Sequence, residues 1–334
     1  MISNDLKIHL YPCCKIVEGA TKDAIYDLQR EAYYLIPHSL TMVLKECKGK
    51  TWAQVMQKYS FESETLEEYR AFLQKYDLCY SSDCNDVEII DIENIYETPD
   101  IISNAIIDID KCSSFDIENI LLQLDELACE NLEIRFFDEF ALFYIKGMLE
   151  FVKGTSIRDL ELLIKYTNEI SIECLLNLHF SQARIRKITI YNSPGSKVGI
   201  YNHEEITLIF IADNISDETC CGVINQWYLL PKTELYLESL NYNTCLHKKI
   251  AVDKRGNIKN CPSMEKSYGS IVDTMLIDVV TSFDFKKVWY IKKDDIEICK
   301  DCELRHMCQD CRAFISDENN ILSKPSKCSY NPYI

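Results

Sequence analysis

Residues 299–311 read CKDCELRHMCQDC, four cysteines in thirteen positions spaced Cys299-x2-Cys302-x5-Cys308-x2-Cys311. A Cys-x2-Cys loop lets two thiolates meet one metal centre without strain, and four thiolates complete a 4Fe–4S cluster or a structural zinc site. Three further cysteines frame this stretch: Cys328 after it, Cys261 before it, and Cys245 fifteen intervening residues upstream of Cys261, with Gly256 opening the run GNIKNC. Seven cysteines exceed one such site and fall one short of two. Zinc ribbons usually place about 15–20 residues between their Cys-x2-Cys pairs. Here five separate Cys302 from Cys308, and a single zinc leaves Cys245, Cys261 and Cys328 without a role. Iron–sulfur is therefore the expected chemistry and structural zinc the alternative.

Upstream of this region the texture is that of an ordinary globular protein. The chain has 334 residues, 47% of them hydrophobic, with 9 Gly and 8 Pro. That length points to two or three domains. The first residues, MISNDLKIHLYPCC, lack a basic start with an apolar run, and no stretch of about 18 unbroken apolar residues occurs, so no signal peptide, no membrane partner and a cytoplasmic location are expected. The 17 cysteines then read as metal-binding or buried rather than disulfide-forming.

The net charge of −17 is concentrated. Residues 81–180 hold 6 Lys+Arg against 22 Asp+Glu, whereas residues 245–334 hold 15 against 13. An acidic chain lacks the basic footprint that phosphates demand, which excludes nucleic acid as the expected partner.

Three segments emerge. In residues 1–80, LKIHLYP, CKIVEG and AIYDLQREAYYLIP read as strands. Helices are expected over His38–Cys47, over TWAQVMQKY capped by Thr51, and over ETLEEYRAFLQKY with Leu66, Tyr69, Phe72, Leu73 and Tyr76 on one face. Three strands and three small helices make a winged-helix-like module. Residues 81–100 are polar and acidic, a boundary. From 100 to 240, strands (NAIIDID, LEIRFFD, IRKITIYN, EITLIFIAD) alternate with helices (FDIENILLQLDELAC, EFALFYIKGMLEFV, RDLELLIKYT), which predicts an α/β fold with parallel packing and too few units for a full eight-stranded barrel. YNSPGSKVG reads as a turn rather than a phosphate loop. WYLLPKTELYLE fits a strand or a helix. Residues 241–334 are governed by cysteine spacing.

The cysteine layout resembles the SPASM domain, the auxiliary-cluster module that follows the radical-SAM barrel in enzymes modifying peptides and proteins. Its pattern, CxnGxxxxC, CxxCxxxxxCxxxC and a final C, is met at Cys245, Gly256, Cys261, Cys299, Cys302, Cys308, Cys311 and Cys328, with two residues instead of three between Cys308 and Cys311. The resemblance implies that Cys299, Cys302, Cys308 and Cys328 hold a second auxiliary cluster, and that Cys245, Cys261 and Cys311 hold three corners of a first. The fourth corner is often a cysteine just upstream; six residues before Cys245 stands Ser239. Cys220 or Cys221 reaches in, or the position is open to substrate, or the site is empty.

The CxxxCxxC motif that binds the S-adenosylmethionine-cleaving cluster occurs at none of the cysteines, so one or two 4Fe–4S clusters without S-adenosylmethionine are expected, and radical-SAM chemistry is not. SPASM spacing without that motif resembles the maturase of grasp-with-spasm systems for ribosomally made, post-translationally modified peptides (RiPPs). The resemblance implies a degenerate partial β/α barrel, a ribosomal precursor peptide and an ATP-grasp ligase as partners, and clusters that stabilise the C-terminal domain, bind peptide or carry electrons. Residues 1–80 are similar to PqqD-like precursor-recognition modules, with LKECKGKTWAQVMQKY and EEYRAFLQKYDL carrying the likeness; it implies leader binding along Ile25–Leu35 and the helix from Glu64. A stand-alone iron–sulfur redox enzyme and a structural zinc-binding interaction protein are the other readings. His247 and His306 are candidate odd ligands or packed residues. Glu204–Glu205 and Asp294–Asp295 read as solvated charge, and no nucleophile-elbow motif accompanies the serines.

Overall fold

The computed structural model describes residues 4–59, 62–83, 94–201 and 205–334. Residues 84–93 of the acidic boundary, with Cys84, and His203 and Glu204 lie outside them.

The N-terminal segment contains β1 (Lys7–Leu10), β2 (Cys14–Val17), β3 (Asp23–Asp27) and β4 (Ala32–Ile36), then α1 (His38–Cys47), α2 (Trp52–Lys58), α3 (Ser63–Lys75) and β5 (Cys79–Ser82). AIYDLQREAYYLIP is not one strand but the β3–β4 hairpin; Glu31 at φ 51 makes the turn. The antiparallel sheet runs β2-β3-β4, while β1 leaves it to pair with β5. Thr51 caps α2 as expected, in a reciprocal capping box with Gln54. Tyr34 of β4 packs on Phe72 and Tyr76 at α3's C-terminal end.

The second segment is mixed α/β. β6 (Asn104–Ile109), α4 (Ile117–Glu126), β7 (Asn131–Phe136), α5 (Leu142–Leu149), β8 (Asp159–Lys165), α6 (Ile172–Ser181), β9 (Ile185–Tyr191), β10 (Lys197–Tyr201) and β11 (Ile206–Phe210) lead to α7 (Thr233–Ser239), β12 (Lys249–Val252), β13 (Ile258–Lys259) and α8 (Leu276–Thr281). The eight-stranded sheet has the order β10-β11-β9-β8-β7-β6-β12-β13, with β10 and β13 antiparallel edges on six parallel strands. Strand–helix alternation thus gives the parallel packing that it predicts.

Two local expectations fail. RDLELLIKYT, expected helical, is β8. Leu160, Leu162 and Ile164 face the helix-covered core while Leu163 packs with Phe137 and Tyr191 on the other face. Leu160, Leu162 and Ile164 alternate with Asp159, Glu161 and Lys165, but Leu163 breaks the alternation, and the short run Leu162–Ile164 fits a helix as well as a strand. α6 was not anticipated, although Ser171 caps it by accepting the Cys174 N–H at 3.2 Å. The ambiguous WYLLPKTELYLE becomes a short 3-10 turn and then α7.

The two faces of the parallel sheet differ in kind. Ala105, Ile107, Leu132, Ile134, Leu160, Leu162, Ile188, Ile190, Ile250 and Val252 face the helices and form the main core. The opposite face carries Ile106, Asp108, Glu133, Arg135, Glu161, Lys187, Thr189 and Lys249, the alternate positions of the same strands. This polar face turns toward the cysteine-rich segment. The β2-β3-β4 sheet also meets that segment: Val17, Ala24, Tyr26 and Leu28 pack with Tyr236, Leu304 and Met307. The Tyr26 hydroxyl donates to the Glu303 carbonyl at 2.6 Å. Among the described residues no helix is long and apolar enough to cross a membrane.

Candidate metal centres

The CxxC turn begins at Ile298, held at φ 67, and closes when the Cys302 N–H donates to the Cys299 carbonyl at 3.0 Å. The next turn brings in Cys308, whose N–H donates to the Arg305 carbonyl at 3.4 Å. Cys328 arrives on a parallel bridge with Ile224. Cys299, Cys302, Cys308 and Cys328 together line one cavity of about 630 Å³.

A second cavity, of about 470 Å³, is lined by Cys221, Cys245, Cys261 and Cys311. Asn243 sets Cys245 by accepting its N–H at 3.1 Å and that of Leu246 at 2.9 Å. Gly256, at φ 81, turns the β12–β13 hairpin and returns the chain to Cys261; a Cβ there would stand 3.3 Å from Ile271. That is a physical reason for the glycine five residues ahead of the cysteine.

Cys221 joins three cysteines that are distant in sequence. Gly222, at φ 85, allows it: a Cβ would stand 2.9 Å from Cys311 Sγ and 2.8 Å from the Phe314 ring. Lys327 fixes the same loop, donating to the Cys221 carbonyl at 2.8 Å. Cys220 and Cys221 are both exposed, but Cys221 lines this cavity and Cys220 does not. Ser239 points elsewhere, fully buried against His306 Nδ1 at 2.9 Å. Val223, Ile224, Asn225 and Leu229 wall both cavities, so one loop separates the two quartets.

Four thiols at each cavity are a donor set that a 4Fe–4S cluster or a structural zinc ion takes. A zinc–sulfur bond of about 2.3 Å puts tetrahedral sulfurs about 3.8 Å apart. Among the described residues, the group of three ligating atoms lying within 4.8 Å of one another is Cys13, Cys14 and Asp27; no three of the eight cavity sulfurs do so. The eight sulfurs are thus not gathered to single-ion spacing, and each quartet borders a cavity, of about 630 Å³ for one and about 470 Å³ for the other. Burial pushes the thiols of Cys261 and Cys302 up to about 12 and that of Cys308 to about 11, and raises those of Cys221, Cys299 and Cys311. Metal or cluster loading must therefore expel protons.

Cations stand close to each quartet. Lys293 Nζ is 3.9 Å from Cys299 Sγ and 2.9 Å from Asp310. Asp310, between Cys308 and Cys311, also takes Arg312 at 2.7 Å and Asn243 Nδ2 at 2.6 Å. Since Asn243 holds the Cys245 turn, Asp310 ties one quartet to the other. Lys249 Nζ is 3.5 Å from Cys245 Sγ. Neither histidine candidate lines either cavity: His247 stacks on Tyr242 at 3.8 Å and meets Glu238 at 2.9 Å, and His306 meets Ser239. Asp294 pairs with Arg305.

His306 is buried, and that burial, with the nearby Arg305 charge, lowers its pKa from 6.5 to about 4. The folded state resists a proton that the unfolded chain accepts. Its contribution is full above pH 6.5 and is lost as pH falls toward 4, by about 3 kcal/mol. His306→Gln is expected to flatten that part of a stability–pH curve measured by urea unfolding; an unchanged slope would refute the assignment.

No protein-family model matches this chain, and no curated protein matches it. Solved structures similar to it include Streptococcus suis SuiB bound to S-adenosylmethionine (11% identity, TM-score 0.35) and SuiB bound to precursor peptide SuiA (10% identity, TM-score 0.32). Each alignment covers 99% of this chain and 100% of the other.

Proposed function

We propose that this chain is an iron–sulfur accessory protein of peptide maturation. Residues 1–80 recognise a precursor peptide, residues 100–240 form a reduced β/α barrel, and residues 241–334 form a SPASM domain with two 4Fe–4S clusters. It acts in the cytoplasm beside an ATP-grasp ligase. The observation that carries the reading is the pair of four-cysteine cavities in a chain without CxxxCxxC. Clusters supply electron-transfer capacity; the chain's own residues hold them, shield them and bind the peptide.

Support for peptide recognition comes from β4, an edge strand beside α3. Among the described residues no strand pairs with its outer edge. An extended peptide can add there through main-chain hydrogen bonds, with side chains in the groove toward Phe72 and Tyr76. Cys221 on the wall of the first cavity favours a four-sulfur site over the alternative of an enzyme with an open iron position.

The test is anaerobic purification with metal and sulfide analysis. About eight iron and eight sulfide per chain are expected, with absorbance near 400 nm; zinc without iron would sink the reading. Cys221→Ser is expected to lose about half of the iron and Cys220→Ser none. Equal loss from both would remove Cys221 from its assigned place. Calorimetry against the precursor's leader segment tests recognition separately.

A further inference from the structure

Lys249 stands apart from the other cations near the quartets. It opens β12 on the polar face of the sheet, in register with Asn104. It lines the first-quartet cavity and also a smaller one of about 210 Å³ at the amino ends of β6, β7 and β8. Its ammonium donates to Cys245 Sγ at 3.5 Å. Lys293, in the second quartet, leans on a carboxylate instead, at 2.9 Å from Asp310. Lys249 thus meets a ligand sulfur where Lys293 meets a carboxylate.

We propose that Lys249 sets the reduction potential of the first cluster, by donating to the Cys245 sulfur and opposing the negative charge that an added electron brings. The inference rests on the iron–sulfur reading of that quartet. A cluster held by four thiolates is an anion, and one-electron reduction makes it more so. No bond breaks and no proton moves; the electron comes from the external reductant, dithionite in the experiment below. A cation in a region of low dielectric stabilises the reduced form more than the oxidised one, and hydrogen bonds to ligand sulfur act in the same direction. Lys249 is a positioning and tuning residue rather than a catalytic one, because it acts through Cys245.

The test uses the full chain, purified anaerobically and titrated with dithionite under electron paramagnetic resonance. Cys221→Ser, which removes the first cluster, identifies which signal belongs to it. Lys249→Met is expected to move the first cluster's midpoint to lower potential and leave the second unchanged, and Lys249→Arg to return it toward the parent value. Both midpoints unchanged in Lys249→Met, or an equal shift in Lys249→Arg, overturns the inference while leaving the clusters in place. Where Lys249→Met loses the first cluster, recovery of iron in Lys249→Arg supports the role of the cation, and failure to recover overturns it. A parent protein without iron is a different failure: it removes the functional reading, and this inference with it.

Discussion

Asp310→Ala is expected to destabilise the protein by about 3–5 kcal/mol and to deplete iron from both quartets. Asp310 is 1% exposed and compensates two cations that are as deeply buried, Lys293 at 2.9 Å and Arg312 at 2.7 Å. Removing it leaves two buried charges with no carboxylate: Arg312 keeps only the Ile321 and Ser323 carbonyls and Lys293 only the Cys299 sulfur, which costs more than the pairing itself contributes. Against a typical total stability of about 5–15 kcal/mol, that loss decides whether the segment folds. The effect extends to both sites for a structural reason. Lys293 reaches Cys299 on one side, while Asn243 reaches the Cys245 turn on the other. Asp310→Asn keeps the shape and one acceptor but not the charge, and is expected to fall between alanine and the parent. Urea midpoints and iron content measure both effects. A variant within about 0.5 kcal/mol of the parent, as for a surface change, with its iron retained, would show that Asp310 does not link the quartets.

The turns that carry the cysteines were legible in the sequence because their spacing is local: CxxC turns and the Gly256 hairpin are each decided within a few residues. The fourth sulfur of the first cavity was not. Cys220 and Cys221 are adjacent and chemically equal, and the choice between them rests on Gly222, whose missing Cβ lets the chain pass within van der Waals distance of Cys311. A cysteine followed by glycine was the available signal, weak without its distant partner. Ser239 marked the conventional position and proved to be a core hydroxyl on His306. The parallel sheet was legible from strand–helix alternation, although β8 was lost to its own apolarity. The pairing of β1 with β5 across some seventy residues had no local signature at all. For Cys221, Ser239 and β1 the deciding contact lies far away in sequence.

Arg135→Met is expected to cost about 3–5 kcal/mol at pH 8 and much less at pH 5. Asp108 and Arg135 are register partners on β6 and β7, joined by two hydrogen bonds of 2.6 and 2.8 Å, and both are buried on the polar face of the sheet. Burial pushes the Asp108 carboxyl up to about 6 even though Arg135 pulls it down; Glu133 adds to the upward push. In the parent the raised value means that this carboxyl favours the folded state most at low pH, with that contribution lost as pH rises from about 4 to 6. Without Arg135 nothing opposes the burial, so the carboxyl titrates higher still. At pH 5 it is protonated in the folded variant and buried as a neutral acid, whereas at pH 8 it must either ionise unpaired or hold a proton against solvent. The deficit therefore grows with pH. Arg135→Met combined with Asp108→Leu removes both charges and is expected to recover most of the loss, because two apolar side chains need no partner. Urea unfolding of the parent and the two variants at pH 5 and pH 8 separates the cases. A deficit that shrinks with rising pH, or a double variant no better than the single, would mean that the pair is not desolvated on this face of the sheet.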